Sequence, residues 1–244
     1  MSREPVNSNE QHAPSIAAAE ATAQATASAD SSFLPSASSS SLPYLALGDS
    51  YTIGEGVAAE GSWPQQLAAA LRELGVALEA PQVIATTGWT TDELAEAIDA
   101  AAPQGTYALV SLLIGVNNQY RGRPLAEYRQ QFEQLLQRAI ALAGENAGRV
   151  LVLSIPDWGV TPFAADRDAA LIAAEIDAFN AAAQACCGDY GVAFVDITPL
   201  SRERGAEASM LVDDQLHPSA AMYQLWTQQA LPAAAALLAT AAEA

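Results

Sequence analysis

"YLALGDSYTIGEGV", residues Tyr44–Val57, decides the fold. Four apolar residues, Tyr44, Leu45, Ala46 and Leu47, run into Gly48-Asp49-Ser50 and then into a loop studded with glycine. A short apolar run bounded by turn residues reads as a buried strand. Ser50 then stands just past the carboxyl end of that strand, the edge at which open α/β sheets bind ligands.

The same pattern continues outward from this stretch. Strand-like runs recur at 83–85, at 107–114 ("YALVSLLI", apolar on both faces), from Arg149 ("RVLVLSI") and at 191–197 ("GVAFVDI"). Helical patterns fall between them, at 63–74 with Leu67, Leu71 and Leu74 on one face, at 91–102 behind the capping stretch "TTDEL", at 124–143 and at 166–187. A last Ala/Leu-rich helix follows at 218–239. Strands alternating with helices predict a parallel sheet covered on both faces.

The chain has 244 residues, 51% of them hydrophobic, enough for one α/β domain. Residues 1–43 are rich in Ala, Ser, Thr, Glu and Gln and close on "SASSSSLP", which reads as a disordered tail ahead of a domain at 44–244. With 28 acidic against 10 basic residues and a net charge of -18, the protein repels phosphate backbones, and nucleic acid is excluded as a partner. All ten basic residues are arginine. The lack of lysine removes a Walker-type phosphate loop, a Schiff-base lysine and a serine/lysine dyad. Cys186 and Cys187 are adjacent and read as reduced, buried residues; His12 and His217 are too few for a histidine-rich metal site. No apolar stretch approaches the ~20 residues of a membrane span. The N-terminal segment lacks the charged start and apolar block of a secretory signal, so a cytoplasmic location is expected.

Distinctive loops follow the strands: Gly48-Asp49-Ser50, "TTGWT" with Gly88, and "GVNN" with Asn117 and Asn118. Near the C-terminus "VDDQLHPS" carries Asp213, Asp214 and His217. Acyl-bond hydrolysis needs a nucleophile, a base, a group to orient that base, and donors for the tetrahedral oxyanion. Ser50 is the candidate nucleophile, and His217, the one histidine outside the tail, the candidate base. Asp214 sits within one turn of the histidine and can orient it, and Asp213, one residue further away, competes for that role. The backbone N–H groups of Ser50 and Gly88 and the amide of Asn117 are the candidate oxyanion donors. Trp89 and Trp158 follow strands two and four and read as walls of an acyl or aryl pocket, with loop packing as the alternative. Trp63 and Trp226 lie in helical patterns and read as core; Arg121 and Arg123 read as a solvated rim rather than an anion clamp.

With these residues in view, the chain resembles the SGNH/GDSL hydrolases: "GDSYTIGEG", the isolated Gly88, "GVNN" and "DQLH" are similar to that family's four blocks, in its order. The resemblance covers roughly 44–238. It implies a flavodoxin-like three-layer α/β/α sandwich whose five-stranded parallel sheet has the order 2-1-3-4-5. It also implies catalysis by Ser50, Asp214 and His217, with an oxyanion hole of Ser50, Gly88 and Asn117, and its spacing favours Asp214 over Asp213. Asn118 departs from the aspartate that many members carry and alters how that loop is held. The expected activity is that of a serine esterase or lipase-like acyl hydrolase on small or medium carboxylic esters, acting as a monomer with no metal or organic cofactor. Lysophospholipase, thioesterase and carbohydrate O-deacetylase activities are the alternatives within this chemistry, and a flavodoxin-like ligand-binding module is the non-enzymatic one.

Overall fold

The structure is a computed structural model that describes residues 41–241. The tail reading therefore lies outside the described residues except for its last three. Of these, Leu42 forms a parallel bridge with Leu78, and its N–H donates to the Ala77 carbonyl at 2.8 Å.

Five strands, β1 (Tyr44–Gly48), β2 (Gln82–Ala85), β3 (Leu109–Leu113), β4 (Val150–Leu153) and β5 (Ala193–Val195), form one parallel sheet in the order β2-β1-β3-β4-β5. Residues of β1, β3 and β4 are buried throughout, which is why their sequences, Ser111 apart, are continuously apolar rather than alternating. The edge strands β2 and β5 are only partly covered. Ser111 is polar in the middle of β3, and its hydroxyl pairs with that of Tyr44 on β1 at 2.9 Å, so no hydrogen-bonding group is stranded there. Each wholly buried leucine of these strands contributes about 2 kcal/mol of apolar burial.

Eight α-helices accompany the sheet among the described residues: α1 (Ser50–Ile53), α2 (Trp63–Glu73), α3 (Thr91–Ala101), α4 (Val116–Tyr120), α5 (Leu125–Leu142), α6 (Ala169–Tyr190), α7 (Thr198–Arg204) and α8 (Ala220–Ala241). The five long ones fall on the helical stretches read from the sequence. The short helices α1 and α4 stand where the sequence reads as loop, and α7 where it reads as no element, because one or two turns are too few to display a 3.6-residue period. Helix α3 opens on a capping box in which the Thr90 N–H donates to the Glu93 carboxylate at 2.8 Å. None of the helices is long and apolar enough to cross a membrane, among the described residues.

The strand order positions the site. The chain moves from β1 to β2 in one direction, then reverses and runs through β3, β4 and β5 in the other. Right-handed crossovers therefore place α2 on one face and α3, α5 and α6 on the opposite face. Contacts agree: α2 packs on α8, whereas α5 packs on α3 and α6. Between β1 and β3 the helices diverge to opposite faces, and a crevice opens at the carboxyl ends of the strands. Ser50 and Asn117 lie in the two segments that leave those strands.

Candidate active site

Helix α1 starts as soon as β1 ends, and Gly48 makes that exit possible. A Cβ at this position would stand 2.4 Å from the Leu113 carbonyl oxygen of β3 and 2.1 Å from the Thr52 hydroxyl. Asp49 caps the turn, its Oδ1 accepting from the Tyr51 N–H at 3.0 Å. Burial pushes the Asp49 carboxyl up to about 7, against the lowering effect of the Tyr51 N–H, and its Oδ2 is buried without a hydrogen-bond partner among the described residues. Ser50 follows as the first residue of α1 and is 4% exposed.

The segment carrying His217 is held on several sides. Leu211 bridges Pro218 antiparallel, and the Val212 N–H donates to the His217 carbonyl at 2.9 Å. Gln215 takes a left-handed conformation, φ 60°, that a residue with a Cβ adopts reluctantly. The reward for that strain is convergence on one carboxylate: Asp214 Oδ1 accepts from the backbone N–H groups of Leu216 and His217, each at 2.9 Å, while its Oδ2 lies 2.6 Å from His217 Nδ1. Desolvation raises the Asp214 carboxyl, but the hydrogen bonds from the His217 ring and the two backbone N–H groups outweigh it and bring the carboxyl below its ordinary value. Asp214 is therefore ionised at neutral pH and can accept from Nδ1–H, which in a neutral ring leaves Nε2 as the acceptor. Asp213 lines, together with Asp214, Glu55, Gly56 and Val212, a different cavity, and no hydrogen bond between it and His217 is found among the described residues.

Gly88 and Asn117 approach from the other side. Gly88 has φ +87°, a conformation that disfavours any side chain. Asn117, within α4, donates one amide N–H to the Trp89 carbonyl at 2.9 Å, which orients the amide and leaves its second N–H free of that bond. Asn118 is fully buried and ties α4 to the start of α3: its Oδ1 accepts from the Thr91 N–H at 3.1 Å, and its Nδ2 donates to Thr91 Oγ1 at 2.7 Å. The second of these bonds needs an amide, since an ionised aspartate has no N–H to donate. Arg121 bonds the Gly88 carbonyl at 2.6 Å and pairs with Glu93, and Arg123 pairs with Asp92 and Glu127. Both arginines thus brace the loop ends against the acidic first turn of α3.

Ser50, Gly88, Asn117, Trp158 and His217 line one cavity of about 200 Å³, with Asp214 behind the histidine. Trp89 is not among its lining residues; its ring is half-buried against the core, and its carbonyl serves Asn117. Tyr51 lies against the imidazole, the ring centroids 5.6 Å apart. The sequence reading passed over Tyr120, Phe163 and Leu216, which complete the apolar wall. Tyr120 and Phe163 lie beyond β3 and β4, and an aromatic residue in a loop at the carboxyl edge of a sheet was the available signal.

A family model described as "GDSL-like Lipase/Acylhydrolase family" matches residues 46–225. Among curated protein sequences, none matches. Solved structures with this fold include TesA, with TM-score 0.65 and 21% identity over 80% of this chain and 99% of TesA. They also include a lipase/acylhydrolase from Enterococcus faecalis, with TM-score 0.58 and 20% identity over 78% of this chain and 94% of that one. A third is AlinE4, an SGNH-hydrolase family esterase, with TM-score 0.56 and 22% identity over 80% and 95% of the two chains. At such identities the likeness carries the fold, and the family model carries the class. The chain belongs to the GDSL-like lipase/acylhydrolase family and is a hydrolase of the esterase and lipase type.

Proposed function

We propose that the protein is a serine esterase that cleaves small or medium carboxylic esters through an acyl-enzyme on Ser50. The observation that carries this reading is the 2.6 Å contact of Asp214 with His217 Nδ1 at the back of a cavity that Ser50 also lines. His217 Nε2 takes the Ser50 proton as Oγ attacks the ester carbonyl, and ionised Asp214 stabilises the imidazolium so formed. The carbonyl oxygen becomes an oxyanion, for which the Ser50 and Gly88 N–H groups and the free Asn117 N–H are the donors. Collapse expels the alcohol, which takes the proton from the imidazolium. Water then repeats the sequence on the acyl-enzyme and releases the acid. The apolar wall of Val116, Trp158, Phe163 and Leu216 suits an acyl group rather than a sugar.

The test is a screen of purified protein against p-nitrophenyl esters, acetylated sugars, lysophospholipid and acyl-CoA. The expected result is turnover of short and medium esters, together with mass labelling of Ser50 by an organophosphonate. Turnover of acyl-CoA or lysophospholipid alone would move the assignment to a thioesterase or a lysophospholipase.

The orienting role of Asp214 has its own expected outcome. Asp214→Asn keeps the shape of the side chain but presents an N–H to Nδ1, favouring the wrong tautomer. Loss of kcat should be at least about tenfold, with the ~10,000-fold loss in the chymotrypsin-type triad as an upper guide. Asp213→Asn should stay within a few-fold. Steady-state kinetics of the two variants on one ester check the ranking, and a larger loss for Asp213→Asn would transfer the role.

A further inference from the structure

A second cavity, of about 230 Å³, lies beside the one at Ser50, and Tyr120 and Trp158 line both. The two shared residues are held very differently. Trp158 is 4% exposed, and its Nε1 donates to Gln119 Oε1 at 2.8 Å, while Gln119 in turn donates to Glu175 at 2.7 Å. It is a fixed wall. Tyr120 is 47% exposed, and its hydroxyl makes no hydrogen bond among the described residues. Its ring rests edge-on against Trp158, centroids 5.3 Å apart, with the Arg167 guanidinium 5.7 Å from its centroid. An exposed aromatic held only by such contacts can change rotamer without moving backbone.

Gln119, Glu175 and Asp168, polar residues around the second cavity, already have partners, and the Arg167 guanidinium lies over the Tyr120 ring. Gln119 and Glu175 bond each other, and Asp168 Oδ1 accepts from the Leu171 N–H at 3.0 Å at the start of α6. The apolar lining it offers a ligand is Ile172, the 55% exposed Leu171 and the ring faces of Tyr120 and Trp158, with the Arg167 guanidinium beside them. Such a lining takes an alkyl chain. The cavity at Ser50 is smaller than the roughly 300–1,000 Å³ usual for small-molecule sites, and only the two cavities joined come within that range.

We propose that Tyr120 determines acyl-chain length, its ring being the movable partition that ends the cavity at Ser50 and, when it swings aside, admits a longer chain to the cavity over α6. This rests on the esterase reading, which supplies the acyl group. Short chains fit with the ring in place. Longer ones must displace it from Trp158 and Arg167, so catalytic efficiency falls with chain length in the unaltered protein.

The experiment measures kcat/KM on p-nitrophenyl butyrate and decanoate, which share a leaving group, and reads the decanoate-to-butyrate ratio. Tyr120→Ala should raise that ratio at least about tenfold, an effect of the size produced by fit in an apolar pocket. Tyr120→Phe keeps the partition and should leave the ratio within about twofold of the unaltered protein. Adding Leu171→Trp to Tyr120→Ala refills the second cavity from its rim and should return the ratio towards its original value. An unchanged ratio in Tyr120→Ala, an equal rise in Tyr120→Phe, or a gain that follows the alcohol length of alkyl acetates instead would each overturn the proposal while leaving the esterase reading intact. A protein inert to every ester overturns both.

Discussion

Ser50→Ala should abolish ester turnover, with kcat falling by about 10,000-fold or more and leaving only what binding and the oxyanion donors achieve without a nucleophile. The size follows from the chemistry. With no Oγ there is no acyl-enzyme, and His217 at best activates water that the site does not position for attack. The fold should be indifferent, because alanine keeps the Cβ and suits the first position of α1, and Asp49 still caps the turn through Tyr51. Circular dichroism and the melting temperature should therefore match the parent, and organophosphonate labelling should vanish. Parent-like turnover in this variant would eliminate the acyl-enzyme mechanism.

Asn117→Ala should lower kcat by roughly 100- to 1,000-fold, about 2.7–4 kcal/mol, with a much smaller change in KM. In the proposed mechanism the amide donates to charge that exists only once the carbonyl has become tetrahedral, so its loss should act on the transition state. The same substitution also deprives the Trp89 carbonyl of its 2.9 Å bond. That structural cost should be about 1 kcal/mol and appear as a small fall in melting temperature. The two effects separate in the readout, since a loosened loop moves stability and KM, whereas a missing oxyanion donor moves kcat. A change confined to KM would make Asn117 a substrate-binding residue instead.

The placement of these residues was unevenly legible. The central strands could be read because β1, β3 and β4 are apolar at every position but Ser111, and the long helices because each runs for several turns between turn residues. Helix α4 could not: five residues show no period, and its form depends on Asn118 reaching Thr91, 27 residues away, across the crevice. The helices α1 and α4 changed the local description of "GDS" and "GVNN" from loop to helix, yet left Ser50 and Asn117 at the expected edge of the sheet.

By itself the sequence determined the alternation of strands and helices, the turn out of β1 at Gly48, and the shortage of alternatives to Ser50 and His217, all of which depend on residue type and short-range spacing. Spacing alone could not decide between Asp213 and Asp214, since both lie within a turn of the imidazole. In the structure, with Gln215 in its left-handed conformation, the carboxylate on Nδ1 is that of Asp214. Nor could local pattern distinguish Trp89 from Trp158, each a tryptophan just past a strand. Trp158 is drawn into the cavity wall by Gln119, 39 residues away, and Trp89 turns its ring to the core while its carbonyl holds Asn117. The walls of the site are contacts between segments far apart in the chain, and such contacts form only when the sheet order and the crossovers bring those segments to one edge.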